Sequence, residues 1–131
     1  MKALLPPGWP RPKGYSNAIS ARGRTIVTAG LVGWDAEEKF AAGDLAGQLR
    51  RILENLLAIL AEDGAGPEHV VRMTWYVTDI GEYRSSLSEI GAAWRELIGR
   101  HFPAMAVVEV GALVEPQARI EIEVTAVVPE P

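Results

Sequence analysis

From Arg119 to Val128 the chain alternates without interruption. Ile120, Ile122, Val124, Ala126 and Val128 take one set of positions, and Arg119, Glu121, Glu123 and Thr125 the other. Successive side chains of a strand point to opposite faces, so this run is a long strand with one apolar and one charged face. A chain that carries it must build a sheet and must cover the apolar side of that sheet from its own remaining sequence.

Two helical segments supply the cover. In residues 44–63, Leu45, Leu49, Ile52, Leu56, Ile59 and Leu60 recur at three- and four-residue intervals and draw one apolar stripe. Asp44 reads as the N-cap, and Gly64-Ala65-Gly66-Pro67 stops the helix. Asp79-Ile80-Gly81-Glu82 has the spacing of a capping box and opens a second helix. Its stripe is Tyr83, Leu87, Ile90, Trp94 and Leu97, and it ends near Gly99.

The remaining strands are short. Ser16 to Ala21 and Arg24 to Thr28 read as a hairpin across Arg22-Gly23, ended by Ala29-Gly30. Val70 to Thr78 places Val71, Met73, Trp75 and Val77 on one face and Val70, Arg72, Thr74, Tyr76 and Thr78 on the other. Bulk on both faces predicts a central strand. Ala106 to Val114 is a valine-rich strand, connected to the last one through Glu115-Pro116-Gln117. Residues 1–14, with Pro6, Pro7, Pro10 and Pro12, form an extended arm carrying Trp9. The order is β-β-α-β-α-β-β, an α/β (α+β) fold with two helices on one face of a mixed sheet. At 131 residues the whole chain, 1–131, is expected to be one domain.

Two helices cannot cover both sides of a sheet. With 48% hydrophobic residues, association of copies through the open face is the simplest remedy, and closed symmetry gives a dimer or trimer.

Several function classes are excluded or disfavoured. Net charge is −4 with both signs interspersed and no Lys/Arg-rich run, so no nucleic-acid partner is expected. The chain has no cysteine, which excludes disulfides, thiolate metal sites and cysteine nucleophiles. Its two histidines, His69 and His101, lack metal-pair spacing. Pro6 and Pro7 interrupt the first apolar run before it becomes a signal sequence, and no stretch has the length of a membrane span. A cytoplasmic protein without a membrane partner is expected. No phosphate-binding loop, Gly-x-Ser-x-Gly or dinucleotide fingerprint occurs, and the pair Gly30 and Gly33 reads as a strand-end turn.

Five segments, in order, resemble the Rid (reactive intermediate deaminase) family. Lys13-Gly14-Tyr15-Ser16-Asn17-Ala18 resembles its Gly-Pro-Tyr-Ser-x-Ala opening, and Thr28-Ala29-Gly30-Leu31 its Ser-Gly-Gln segment. Val77-Thr78-Asp79 matches the strand end before its second helix. Phe102 to Val110, Phe-Pro-Ala-Met-Ala-Val-Val-Glu-Val, resembles the signature Phe-Pro-Ala-Arg-Ser-x-Val-x-Val, and Arg119 to Val124 the closing Ile-Glu-Ile-Glu strand.

The resemblance implies a chorismate-mutase-like fold and a homotrimer with small-molecule clefts between subunits. It also implies hydrolysis of enamines and imines to carbonyl compounds and ammonia, with neither metal nor organic cofactor. Tyr15 matches a tyrosine whose hydroxyl bonds the ligand. Glu121 matches a glutamate that positions or activates water. Gly30, beside Ala29, matches a point where backbone approaches the ligand.

The signature arginine, which holds the substrate carboxylate, is here Met105. A thioether supplies no charge, which argues against 2-aminoacrylate and for a larger or aromatic-derived substrate, such as an aminomuconate-type intermediate of aromatic catabolism. Trp34 and Trp94 are candidates to line such a cleft with Met105, and Arg72 and Arg119 to replace the missing charge. His101 is either a general acid or a cation complementing a helix end. The alternatives to a deaminase are a non-catalytic binding or regulatory trimer on the same scaffold, and an interaction protein that presents the Trp9 arm.

Overall fold

The computed structural model describes residues 1–130. Its main sheet holds β3 (Arg24–Val27), β4 (Leu31–Val32), β5 (Val70–Val77), β6 (Ala104–Glu109) and β7 (Ile120–Val128). The order is β3-β7-β5-β6, with β4 also on β7. β7 runs antiparallel to β3, β4 and β5, whereas β5 and β6 are parallel. The alternating strand is therefore central, flanked by β5 on one edge and by β3 and β4, end to end, on the other. Its Ile120, Ile122, Val124 and Ala126 are buried.

All helices lie against that apolar face: α1 (Leu45–Ala61), α2 (Ile80–Ser85) and α3 (Leu87–Leu97). From α1, Leu45, Leu49, Ile52, Leu53, Leu56 and Leu60 are fully buried, while Ile59 faces outward. The stripe is thus turned toward Leu53, relative to the sequence expectation. Close packing of α1 on β4 needs Gly33, where an added Cβ would fall 2.7 Å from Gln48 Cα.

Several expectations are corrected. The segments around Arg22-Gly23 do not form a hairpin. β2 (Ile19–Ser20) pairs instead with β1 (Lys2–Ala3) of the N-terminal arm, and β3 pairs with the last residues of β7. Gly23 permits this. Its φ is 149°, and a side chain there would strike the Val128 carbonyl. The arm folds back on itself, turning at Pro6-Pro7-Gly8-Trp9 and leaving Trp9 60% exposed.

The second helix is broken at Ser86 into α2 and α3. Ser85 donates its hydroxyl hydrogen bond to the Glu82 carbonyl, 3.1 Å away, in the turn where the break occurs. A register shift between Val70 and Arg72 moves Val70 into the core and away from the face where strict alternation puts it. The strand expected at 106–114 starts and ends earlier, as β6, because its pairing with β5 stops at Glu109.

Capping is shared in an unexpected way. Asp79 Oδ1 accepts from the amides of Gly81 and Glu82, at 2.9 and 3.1 Å. Asp44 occupies the N-cap position of α1 without a side-chain cap bond. The Leu45 amide donates instead to Glu82 Oε2 (2.9 Å), while Glu82 Oε1 accepts from Arg119 (2.9 Å). One carboxylate thus joins the starts of α1, α2 and β7.

Candidate functional site

The matched residues gather in two places. The first is a cavity of about 520 Å³ between the β5–β6 edge and α2–α3. Met105 and Val107 enter it from β6, Trp75 from β5, and Tyr83, Ile90 and Trp94 from the helices. Met73↔Met105 and Trp75↔Val107 are register partners of a parallel pair, so all four side chains share the helix-covered face. Tyr15 closes one side. The adjacent Ser16 is fixed against the loop before β6, its amide donating to the Pro103 carbonyl (3.0 Å) and its hydroxyl to that of Phe102 (2.5 Å).

The aromatic wall is ordered by edge and tilted contacts. Trp75 lies 6.3 Å from both Tyr83 and Trp94, at 89° to the former. Trp94 Nε1 donates to the His101 carbonyl (3.1 Å), and His101 Nε2 donates to the Val70 carbonyl (2.6 Å). His101 therefore ties the loop before β6 to β5 and does not line the cavity. Burial raises the Tyr83 pKa above the ordinary tyrosine value. The Trp75 indole N–H is buried with no acceptor among the described residues.

The second place is the Glu121 carboxylate. Glu121 sits opposite Val32 of β4 and Tyr76 of β5, one residue into β7. Its carboxylate lies over Gly30, where an added Cβ would fall 2.7 Å from Glu121 Cδ. Thr28 sets this up. Its hydroxyl donates to the Ala29 carbonyl (2.7 Å) and accepts from the Val124 amide (3.0 Å), and so the chain leaves β7 at Ala29-Gly30 and returns as β4. Nearby on the open face, Tyr76 donates to Glu123 Oε1 (2.6 Å), which raises the Tyr76 pKa because the carboxylate favours the protonated phenol.

Within one chain these places are separate. Neither Glu121 nor Gly30 lines the Tyr15–Met105 cavity. Gly30 borders a different hollow with Trp34, Asp35, Arg51 and Asn55. Trp34 is thus not a neighbour of Met105. Instead it packs on Phe40 at 5.9 Å, and its carbonyl accepts from Asn55 Nδ2. Arg72 and Arg119 do not reach the Met105 cavity either; Arg119 pairs with Glu82. The charged residues that do line it, Lys13 and Arg95, carry no sequence signal beyond that of any exposed cation. Among the described residues, no three His, Asp or Glu side chains gather as a metal site. No helix among the described residues is long and apolar enough to cross a membrane.

The family described as Endoribonuclease L-PSP matches residues 10–128. YyfB of Yersinia pestis, a solved structure of the conserved Rid protein family, superimposes with a TM-score of 0.84 at 32% identity, covering 97% of this chain and 98% of its own. The chain belongs to the Rid family. Further relatives of this Rid protein include Protein DfrA of Myxococcus xanthus, 35% identical over 119 residues (86% of this chain, 84% of the relative). The 2-iminobutanoate/2-iminopropanoate deaminase of Salmonella typhimurium is 31% identical over 108 residues, 80% of each chain. The Rid fold expected from the residues is the one found, a mixed sheet with its helices on one face.

Proposed function

We propose that this Rid protein is a cofactor-free hydrolytic deaminase of an enamine or imine other than 2-aminoacrylate. We infer too that its sites lie at seams between copies in a homotrimer. The observation that carries the reading is the division of the matched residues. Tyr15 and Met105 line one cavity, Gly30 and Glu121 lie elsewhere in the same chain, and the helices leave one sheet face open for another copy to meet. Likeness to an enzyme named an imine deaminase supplies the reaction class.

In this reading Glu121 of one copy takes a proton from water as the water oxygen attacks the C=N carbon. Glu121 passes that proton on to the imine nitrogen, and the carbinolamine collapses as its hydroxyl proton is transferred to the amine, the C–N bond breaking to leave a carbonyl compound and ammonia. Tyr15 of the neighbouring copy orients the substrate by its hydroxyl. The net charge of −4 and the acidic Glu121 and Glu123 on the open face argue against RNA as the substrate, despite the family's description.

Mixed assemblies test both parts together. Tyr15→Phe and Glu121→Gln trimers should each release little ammonia from imines generated in situ. Refolded together at equal amounts, random assembly gives about a quarter of the seams both wild-type groups, and about that share of activity should return. Full activity in Glu121→Gln alone rejects the water role. Absence of any recovery on mixing rejects the shared seam.

A further inference from the structure

The Tyr15–Met105 cavity is unusual in how its charge is distributed. The chain as a whole is net negative. Yet no Asp or Glu lines this cavity, and its formally charged residues, Lys13 and Arg95, are both cations. Both are exposed and so lie at the mouth. Neither has an ion-pair partner among the described residues, whereas Arg24, Arg50 and Arg119 are each paired with a carboxylate.

Arg95 is held at the mouth by local geometry. It follows Gly91 by one helical turn on α3, and an added Cβ at Gly91 would stand 3.3 Å from Arg95 Nη1. The guanidinium therefore lies back over a position with no side chain, and both residues border the cavity. The interior is of the opposite character. Met105, Val107 and Ile90 are apolar, the Trp94 indole N–H is bonded to the His101 carbonyl, that of Trp75 is buried, and Tyr83 adds a phenol but no charge. A carboxylate placed deep in such a wall would lose its hydration without gaining a counter-charge.

We propose that this cavity takes an amphipathic acid with its carboxylate at the mouth, on Arg95 and Lys13, and its bulky apolar or aromatic body inward against Met105 and Trp94. The volume of about 520 Å³ accommodates a phenyl- or indolyl-bearing acid. Joined to the deaminase reading, on which this step of the inference rests, the substrates are imino acids with large apolar side chains. The acid then binds at the rim, and the space lined by the Met105 thioether receives the side chain.

Binding of unreactive probes tests the orientation independently of turnover. Three probes are titrated by quenching of tryptophan fluorescence: 3-phenylpropanoate, its neutral amide, and propanoate. The acid should bind at least several-fold tighter than the amide and far tighter than propanoate. In the Lys13→Gln/Arg95→Gln double variant the acid should weaken by about tenfold, with the amide unchanged, as expected for charge-assisted bonds at a partly solvated mouth. Added salt should narrow the acid–amide gap in the wild type. Equal binding of acid and amide, or a gap that survives in the double variant, overturns the clamp. Propanoate binding as tight as phenylpropanoate overturns the inward apolar body. Either failure leaves the ammonia assays untouched, and a protein that binds the acid but deaminates nothing refutes the deaminase reading alone.

Discussion

The carboxylate of Glu121 rests on the bare Cα of Gly30, so the position of a candidate catalytic acid depends on the absence of a side chain in another strand connection. The backbone at Gly30 is outside the left-handed region. Gly30→Ala therefore imposes no strain of its own and displaces only the end of a flexible side chain. Ammonia release should fall by at least about tenfold while unfolding free energy stays within about 1 kcal/mol, the ordinary range for a substitution that leaves the core intact. Rate assays paired with chemical denaturation check this, and a fully active Gly30→Ala enzyme would remove the link between the two residues.

Met105 is the second site to probe. Met105→Arg introduces a guanidinium beside Trp94 in the apolar cavity. One charge-assisted bond to a carboxylate contributes about 1.5–3 kcal/mol, so kcat/KM for 2-iminopropanoate should rise by at least about tenfold. Activity on imino acids with aromatic side chains should fall in the same variant. Competition between the two substrates in one reaction gives the ratio directly.

Gln48 holds a loop in place. It is fully buried on α1, donates to the carbonyls of Ala42 (3.2 Å) and Gln117 (3.0 Å), and accepts from the Arg119 amide (2.8 Å). Gln48→Leu would leave three backbone groups without their partner. The expected loss is about 3 kcal/mol, given roughly 1–3 kcal/mol for each buried group left unsatisfied and partial rescue by water. Urea denaturation should show a lower midpoint with an unchanged slope.

Alkaline stability should depend on Tyr83. Burial raises its folded pKa above the ordinary 10.0, so the folded state favours the neutral phenol. Its contribution is fully present below pH 10.0 and is lost as pH rises through the folded pKa. Tyr83→Phe should flatten that alkaline decline, leaving the melting temperature near neutrality little changed. Thermal melts on both sides of pH 10.0, with tyrosinate absorbance recorded in parallel, measure it.

Much of the architecture was legible because it is periodic. The alternation at 120–128 and the α1 stripe each impose one face, and both faces are buried as expected, apart from Ile59 and Leu53 exchanging places. Pairing partners were not legible. Nothing local in Arg24–Val27 says that it meets Val128 rather than Ser20, because the choice is made by a glycine crossing and by a distant strand. The Val70 shift and the Ser86 break are single-residue departures from periodicity, invisible to a rule that assumes it. At the site, motif order brought forward Tyr15, Gly30, Met105 and Glu121, but could not show that the chain holds them in two groups. Trp34 and Trp94 have similar composition-level claims, yet only Trp94 borders the cavity. Arg95 was missed because an arginine at an exposed helix position has the same local pattern whether or not a cavity opens beside it.

The sheet also fixes a timetable. Its central member is β7, the last strand in sequence, and β3, β4 and β5 all find their antiparallel partner there. As the polypeptide emerges from the ribosome, β5 and β6 can meet early, but the apolar side of α1 has no complete surface to close on until residues 120–128 are free. A nascent chain stalled before that point holds sticky helices over half a sheet, and it is the state in which neighbouring copies would most readily aggregate.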